Sequence, residues 1–177
     1  MNEYINSKPP VYDPAEVQPM RDELTFTGFT EAYSPKIVED ILSKKDDKTT
    51  FLFINSVCGC AAGSARPGAI LALQNNVIPD NLITVFAGQD RDAVDFLREK
   101  YLTNYATSSP FAALFKNGEP LYVIERHEFL GQSPEQIAEI LISVFKKFCN
   151  RQGPSISKEN YDKMMFLKQC SSGISLN

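Results

Sequence analysis

The residues with the clearest chemical potential are two cysteines on either side of one glycine, Cys58-Gly59-Cys60. An apolar run at residues 51–54 precedes them and is short enough to predict a fully buried strand. A helix is predicted after them, with Ser64 as its cap and Pro67 in its first turn. A thiol at such a junction lies near unpaired backbone N–H groups and the positive end of the helix dipole, and both favour the thiolate that attacks disulfides. Cys58 is therefore the first candidate for the reactive group.

The cysteine pair is open to three other interpretations. Two unrelated core thiols would not explain a pair at a strand-to-helix junction, where packing demands are weakest. Tetrahedral zinc needs four ligands in spaced pairs, and only His127, Cys149 and Cys170 remain, with Cys149 on an apolar helix face. An iron–sulfur cluster meets the same shortage of ligands. Dithiol chemistry with neither metal nor cofactor is the favoured interpretation.

The single residue between the cysteines affects the disulfide that they would form. Two α-carbons so close in sequence must bend to reach the separation that a disulfide prefers, so the bond is expected to be strained. A strained disulfide has a high reduction potential. The pair would then be a poor general reductant, better suited to shuttling, isomerising or resolving disulfides.

Length and composition indicate an ordinary globular protein. The 177 residues, 43% of them hydrophobic and 23% charged, suffice for one domain with a substantial core. A net charge of −4 argues against a nucleic-acid or anionic-membrane partner, which would need a basic face. No apolar run approaches the roughly 18 residues of a membrane span, and the first residues lack the features of a signal peptide. We therefore expect a cytoplasmic protein, in which a close cysteine pair is more often redox-active or metal-binding than a structural disulfide.

The elements that must position the cysteines follow an α/β order. A flexible polar leader is predicted over residues 1–13, the folded domain over residues 14–150 and a polar tail over residues 151–177. The first part of the domain is predicted to contain helices at 19–27 and 35–45, a strand at 51–54, a helix ending near 76, a strand at 82–87 and a helix at 90–101. Strand, helix, strand, helix in this order implies parallel strands with right-handed crossovers.

A β-hairpin is predicted next, over residues 111–124. Asn117-Gly118 is the strongest short hairpin signal, because a type I′ turn needs positive φ at both positions. A two-residue turn there fixes a register in which the expected pairs are Lys116 with Glu119, Leu114 with Leu121, Phe111 with Ile124 and Ser109 with Arg126. If Pro110 begins its strand beside the cysteines, the return strand must end at the same edge of the sheet, with Arg126 and His127.

The last clear helix opens at Ser133-Pro134-Glu135-Gln136, a capping-box pattern with proline at the first helical position. Its apolar residues follow helical spacing, and Cys149 belongs to that buried face as a structural thiol. In the tail, residues 164–167 are expected to dock a short helix. Cys170 is an unassigned thiol, interpreted as a solvated bystander.

Two segments together resemble one known family. Residues 55–67, Asn-Ser-Val-Cys-Gly-Cys-Ala-Ala-Gly-Ser-Ala-Arg-Pro, form a long and unusual motif. Residues 109–119 look like the corresponding thioredoxin segment, where the proline is cis and faces the reactive cysteines. From about Met20 to Cys149 the chain resembles the bacilliredoxin family, which are thioredoxin-like proteins with a Cys-Gly-Cys motif. The resemblance implies a thioredoxin-like α/β fold, with a central mixed sheet of two parallel strands and a C-terminal hairpin, flanked by helices and extended by extra N-terminal helices.

The same resemblance implies an activity, namely removal of bacillithiol, or a similar low-molecular-weight thiol, from S-thiolated cytosolic proteins. Cys58 would attack the mixed disulfide and carry away the small thiol as co-substrate, and Cys60 would resolve the adduct or stand by while another thiol does so. Ser109-Pro110 would be cis and would offer the backbone of Ser109 to the substrate. A general disulfide isomerase or reductase, and a non-catalytic thioredoxin-like binding module, remain as alternatives.

Two further side chains are candidates for supporting the reaction. Arg66 could stabilise the thiolate or meet the carboxylates of a small thiol, although a solvated arginine in the first turn is the simpler interpretation. His127, the only histidine, could protonate the departing thiolate or stabilise Cys58 when charged. A solvated loop histidine is the simpler interpretation there as well.

Overall fold

The computed structural model describes residues 7–172, with the side chains of residues 169–172 excepted. Its helices and strands are α1 Pro14–Phe26, β1 Thr30–Glu31, α2 Pro35–Leu42, β2 Thr49–Asn55, a π-helical turn Ala61–Ala65, α3 Arg66–Ala72, β3 Val77–Ile78, β4 Asn81–Phe86, α4 Arg91–Lys100, β5 Phe111–Lys116, β6 Glu119–Ile124, α5 Arg126–Phe129, α6 Pro134–Phe148, β7 Arg151–Gln152 and α7 Lys158–Ser172. In the part of the chain that the structure describes, no helix is long and apolar enough to cross a membrane.

A five-stranded sheet with the order β1-β4-β2-β5-β6 forms the centre of the fold. β1, β4 and β2 are parallel, whereas β5 runs antiparallel to β2, and β6 runs antiparallel to β5. This arrangement confirms the predicted thioredoxin-like α/β fold with a mixed sheet. It adds a third parallel strand, β1, whose two residues are too few to produce a recognisable sequence pattern.

β2 is buried along its whole length, because helices cover both faces of the sheet. Phe51 and Phe53 point to the face covered by α1, α3 and α6, and Leu52 and Ile54 point to the face covered by α2 and α4. An apolar run without alternation is expected for a strand buried on both sides. The chain returns to the surface just beyond β2, at residues 57–60, which include both cysteines.

The first helix begins earlier than predicted. α1 starts at Pro14, with the Asp13 side chain accepting a hydrogen bond from the Ala15 N–H at 2.8 Å, and Pro19 lies inside it. The signal is the same cap-then-proline pattern that correctly located α2 at Ser34-Pro35. The described part of the predicted leader contacts the domain, since the Val11 N–H donates to the Gly88 carbonyl at 2.7 Å.

The hairpin has the predicted turn but a different register. Asn117 and Gly118 have φ of 52° and 80°, which confirms positive φ at both turn positions. Lys116 pairs with Glu119 as predicted, but a bulge shifts the later pairs, so that Leu114 faces Tyr122 and Ala112 faces Ile124. The prediction of Leu114 with Leu121 and Phe111 with Ile124 is wrong for this reason. Pro120 adjoins the bulge on the edge strand, where a residue without an N–H is tolerated.

The last predicted helix is confirmed as α6, with the Ser133–Gln136 capping box formed as expected. Its closest neighbour is α3, where a Cβ added to Gly68 would lie 2.6 Å from the Cβ of Ile137. Cys149 is 5% exposed, which confirms a buried thiol. Burial raises the pKa of this thiol.

Residues beyond position 150 pack on the same domain, and the predicted boundary there stays a prediction. β7 pairs with β3, and α7 confirms the helix expected around residues 164–167. The helix is anchored by Met164, which is 7% exposed, together with Tyr161 and Met165. Phe166 and Leu167 face outward, at 64% and 57% exposure, so the prediction that they also dock the helix is wrong. The side chain of Cys170 lies outside the described residues.

Candidate functional site

The two cysteines lie just after β2, at the point where the chain turns into a helix. Both are free thiols, and both are partly exposed. The N–H groups of Ala61 and Ala62 donate to the Cys58 carbonyl at 3.0 and 3.2 Å, so helical hydrogen bonding begins at Cys58 itself. The Ala61 N–H also lies 3.3 Å from the Cys58 sulfur. The predicted strand-to-helix junction is therefore present, with a backbone donor directed at the first thiol.

The helix after the cysteines starts with a π-helical turn instead of a cap at Ser64. The Arg66 N–H donates to the Ala61 carbonyl, five residues back, and Pro67 follows in the first turn of α3. The predicted capping role of Ser64 is wrong because the helix begins before this residue. The Ser64 hydroxyl instead donates to the carbonyls of Cys60 and Phe129, at 3.1 and 3.2 Å. Single π-turns of this kind often occur at functional sites.

The surroundings displace the pKa values of the two thiols in opposite directions. Partial burial alone would raise the pKa of Cys58, but hydrogen bonds from the Cys60 thiol, the Ala61 N–H and the Ser56 hydroxyl, with the charge of Arg126, hold it below its ordinary value. Burial raises the pKa of Cys60, and so do its hydrogen bond to Cys58 and the repulsion of the Cys58 thiolate. Cys58 is therefore the first thiol of the pair to ionise, and Cys60 retains its proton to higher pH.

Arg66 is not the solvated residue that the sequence indicated. It is 3% exposed, and its guanidinium donates to Glu23 at 3.1 Å, to the Asn55 side chain at 3.1 Å and to the Ser56 carbonyl at 2.9 Å. Lys168 of α7 binds the same Glu23 oxygen at 3.0 Å. The guanidinium thus fixes the backbone that leads from β2 to Cys58. Its burial contradicts the predicted solvated arginine and the predicted contact with the carboxylates of a small thiol. Stabilisation of the thiolate by Arg66 stays a prediction.

Pro110 lies at the same edge of the sheet as the cysteines. The Ser109-Pro110 peptide is cis, as predicted, and the pairing of Phe111 with Ile54 places it beside the end of β2. Arg98 holds the preceding loop by donating to the Ala106 carbonyl at 3.1 Å and to the Ser108 carbonyl. The offer of the Ser109 backbone to a substrate stays a prediction. A second cis peptide, Gly153-Pro154, was not predicted.

His127 is a surface residue of α5, as the simpler interpretation held. Its side chain is 73% exposed and lies 3.6 Å from the Glu125 carboxylate. The end of β6 does reach the dithiol, as the hairpin argument required, but the side chain whose charge acts on Cys58 is Arg126. A proton-transfer role for His127 stays a prediction without a supporting contact.

Sequence reasoning missed three residues that support the site, namely Glu23, Ser56 and Arg126. The Ser56 hydroxyl accepts a hydrogen bond from the Cys58 N–H at 3.3 Å, and Glu23 neutralises Arg66. Arg126 was noticed only as the neighbour of His127. Among the described residues, no three histidine, cysteine, aspartate or glutamate side chains are grouped closely enough to hold a metal ion.

A polarised pair of free thiols at the end of the central strand, beside a cis-proline, defines the chain as a thioredoxin-like thiol–disulfide oxidoreductase. A family model described as "Disulphide isomerase" matches residues 12–149. A bacilliredoxin of Salinibacter ruber is 46% identical over 143 residues, covering 81% of this chain and 83% of that protein. A bacilliredoxin of Geobacillus kaustophilus is 47% identical over 134 residues, covering 75% of this chain and 91% of that protein. The chain belongs to the bacilliredoxin family.

Among solved structures, the oxidised thioredoxin of Plasmodium falciparum has a TM-score of 0.43 and 16% identity, over 67% of this chain and 99% of its own. That similarity is too low to bear on function. The family match ends at residue 149, so β7 and α7 lie outside the matched region.

Proposed function

We propose that this protein removes bacillithiol, or a similar low-molecular-weight thiol, from mixed disulfides on cytoplasmic proteins by means of Cys58 and Cys60. The observation that carries the proposal is the opposite displacement of the two pKa values, down for Cys58 and up for Cys60. A pair in which one thiol ionises before the other supplies both a nucleophile and a second thiol that can act later.

In the first step the Cys58 thiolate attacks the sulfur of the small thiol within the mixed disulfide. A new bond forms between Cys58 and the small thiol, the old disulfide breaks, and the target protein leaves as a thiolate that takes a proton from solvent. One disulfide is exchanged for another, so no external electrons are needed.

In the second step Cys60 loses its proton and attacks the Cys58 sulfur. The small thiol leaves in reduced form, and a Cys58–Cys60 disulfide remains, which requires two electrons from another thiol or dithiol before the next cycle. Alternatively, a second molecule of the small thiol attacks the adduct on Cys58 and leaves as the symmetrical disulfide. The Cys58 thiolate helps to raise the pKa of Cys60 in the reduced pair, and this charge is lost once Cys58 carries the small thiol. Cys60 then ionises more readily, which supports its action as the second nucleophile.

A second candidate is a general disulfide isomerase, which the description of the matching family model favours. Isomerisation uses the same attack by Cys58 but leaves the small thiol out of the reaction. A non-catalytic binding module is the third possibility, and it would have no need of a thiol with a lowered pKa.

The experiment is a parallel assay on one model protein with a single cysteine, joined in turn to bacillithiol, glutathione and coenzyme A. We expect release of the model protein with preference for one small thiol, a persistent Cys58 adduct by intact mass in Cys60→Ala, and no transfer in Cys58→Ala. Refolding of a scrambled multi-disulfide substrate without any release of small thiols would favour the isomerase. An adduct found on Cys60 instead of Cys58 would reverse the assigned roles.

A further inference from the structure

Arg126 differs from the other charged residues of α5 in having no partner of its own. Its side chain is exposed, and within the described residues it makes no ion pair and no side-chain hydrogen bond. Its neighbours are occupied, since Glu125 and Glu128 cap the helix and His127 faces Glu125. An arginine left without a carboxylate beside a reactive centre retains its full capacity to bind an anion.

Two contacts fix α5 beside the dithiol. The Ser64 hydroxyl donates both to the Cys60 carbonyl and to the Phe129 carbonyl, so one side chain joins the cysteine turn to the last residue of α5. At the other end, the Arg126 N–H donates to the Ser108 hydroxyl at 3.4 Å, close to the cis-proline. Arg126 therefore lies between the cysteine turn and the loop that precedes Pro110.

The charge of Arg126 reaches both thiols, since it lowers the pKa of Cys58 and also acts to lower that of Cys60. The protein as a whole carries a net charge of −4, so its average field repels anions. The positive charge of Arg126 opposes that repulsion at the dithiol, where a small thiol must enter. Arg66 cannot take this role, because its guanidinium is buried against Glu23, Asn55 and Ser56.

We propose that Arg126 binds a carboxylate of an anionic low-molecular-weight thiol while its disulfide is attacked by Cys58, and so makes the enzyme selective for negatively charged thiols. This inference rests on the proposed function. A guanidinium presents parallel N–H groups that match the two oxygens of a carboxylate, which gives orientation as well as attraction. The enzyme then recognises the charge of the small thiol and not the protein sequence around the modified cysteine.

The test uses one model protein with a single cysteine, joined in turn to 3-mercaptopropionate, 2-mercaptoethanol or cysteamine. These primary thiols have similar size, and at neutral pH they are negative, neutral and positive. For each substrate we measure the single-turnover rate at which the model protein is freed from the small thiol. The proteins compared are wild type, Arg126→Gln, Arg126→Glu and the control Lys146→Gln, which removes an exposed cation in the last turn of α6. Ratios between substrates within one variant are independent of the thiolate fraction of Cys58, so they separate binding from an effect on the nucleophile.

We expect wild type and Lys146→Gln to release the negative thiol fastest and the positive thiol slowest. In Arg126→Gln, the ratio of the rates for the negative and the neutral thiol should fall about fivefold, as expected for the loss of one partly exposed ion pair. Arg126→Glu should reverse the order of the three substrates. Equal slowing of all three substrates in Arg126→Gln, or no charge order in wild type, would overturn the inference and leave the proposed function intact. If wild type releases none of the three, and none of bacillithiol, glutathione and coenzyme A, the proposed function itself fails.

Discussion

Arg66 donates a hydrogen bond of 2.9 Å to the carbonyl of Ser56, and the hydroxyl of the same Ser56 faces Cys58. A buried charge therefore holds the residue that supports the nucleophile, although the Arg66 guanidinium itself is not exposed. The Asn55 side chain completes this unit, because its oxygen accepts from both Arg66 and the Ser56 N–H, at 3.1 and 2.9 Å. These hydrogen bonds hold the path from β2 to Cys58.

Ser56→Ala should raise the pKa of Cys58, because the hydroxyl stabilises the thiolate. The rate of iodoacetamide alkylation as a function of pH measures this pKa directly. Thiolate fraction rises with pH through the pKa, so the midpoint of the variant should move to higher pH, with less alkylation at neutral pH. Ser143→Ala on the exposed face of α6 is the matched control and should reproduce the wild-type curve. Identical curves for Ser56→Ala and wild type would show that the hydroxyl has no such role.

Each cysteine affects the pKa of the other, and the two effects have opposite signs. Cys60→Ala should raise the pKa of Cys58, because the thiol hydrogen bond to the thiolate is lost. Cys58→Ala should lower the pKa of Cys60, because the hydrogen bond and the repulsion from Cys58 are both lost. Alkylation of each single-cysteine protein from about pH 5 to 10, in a background with both Cys149→Ala and Cys170→Ala, gives the two values. Movement of both midpoints in the same direction would contradict the assignment of nucleophile and resolving thiol.

Arg66→Met should destabilise the reduced protein by about 1–3 kcal/mol, since the polar groups of Asn55 and Ser56 lose a buried donor. Glu23 is not left unpaired, because Lys168 lies 3.0 Å from it, and the loss should stay below that of an orphaned buried charge. Urea unfolding with an unchanged m-value gives the difference in the free energy of unfolding. Lys36→Met, which removes an exposed ion pair with Asp40, should change it by less than about 0.5 kcal/mol. Equal effects of the two substitutions would refute the structural role of Arg66.

Gly68→Ala should destabilise the contact between α3 and α6 by about 1–3 kcal/mol, as expected for overpacking. The new Cβ would meet the Ile137 Cβ at 2.6 Å and the Pro134 carbonyl at 3.0 Å, and neither is the end of a flexible side chain. Gly63→Ala is the matched control, because nothing lies within 4 Å of a Cβ at that position. Thermal unfolding should show a lower midpoint for Gly68→Ala only, and a similar loss in both variants would be contrary to expectation.

The central elements of the fold follow from local sequence patterns. β2, β4 and the hairpin strands carry short apolar runs, and the helices α2 and α6 carry cap-then-proline signals that need no tertiary information. Asn117-Gly118 fixes its turn because few other residues accept positive φ at both positions. The Cys-Gly-Cys motif located the dithiol because this signal is also local: the position of the motif at a strand end depends only on neighbouring residues.

Tertiary structure alone decided how the site is supported. Whether Arg66 is solvated or buried depends on Glu23, which is distant in sequence and becomes its partner only when α1 packs against α3. The hairpin register depends on a bulge beside Pro120, and no short pattern predicts a bulge. Arg126 reaches the cysteines because Ser64 ties its helix to their turn. Burial and charge proximity are properties of residues far apart in the chain, whereas the sequence by itself determines local conformation and the identity of the thiols.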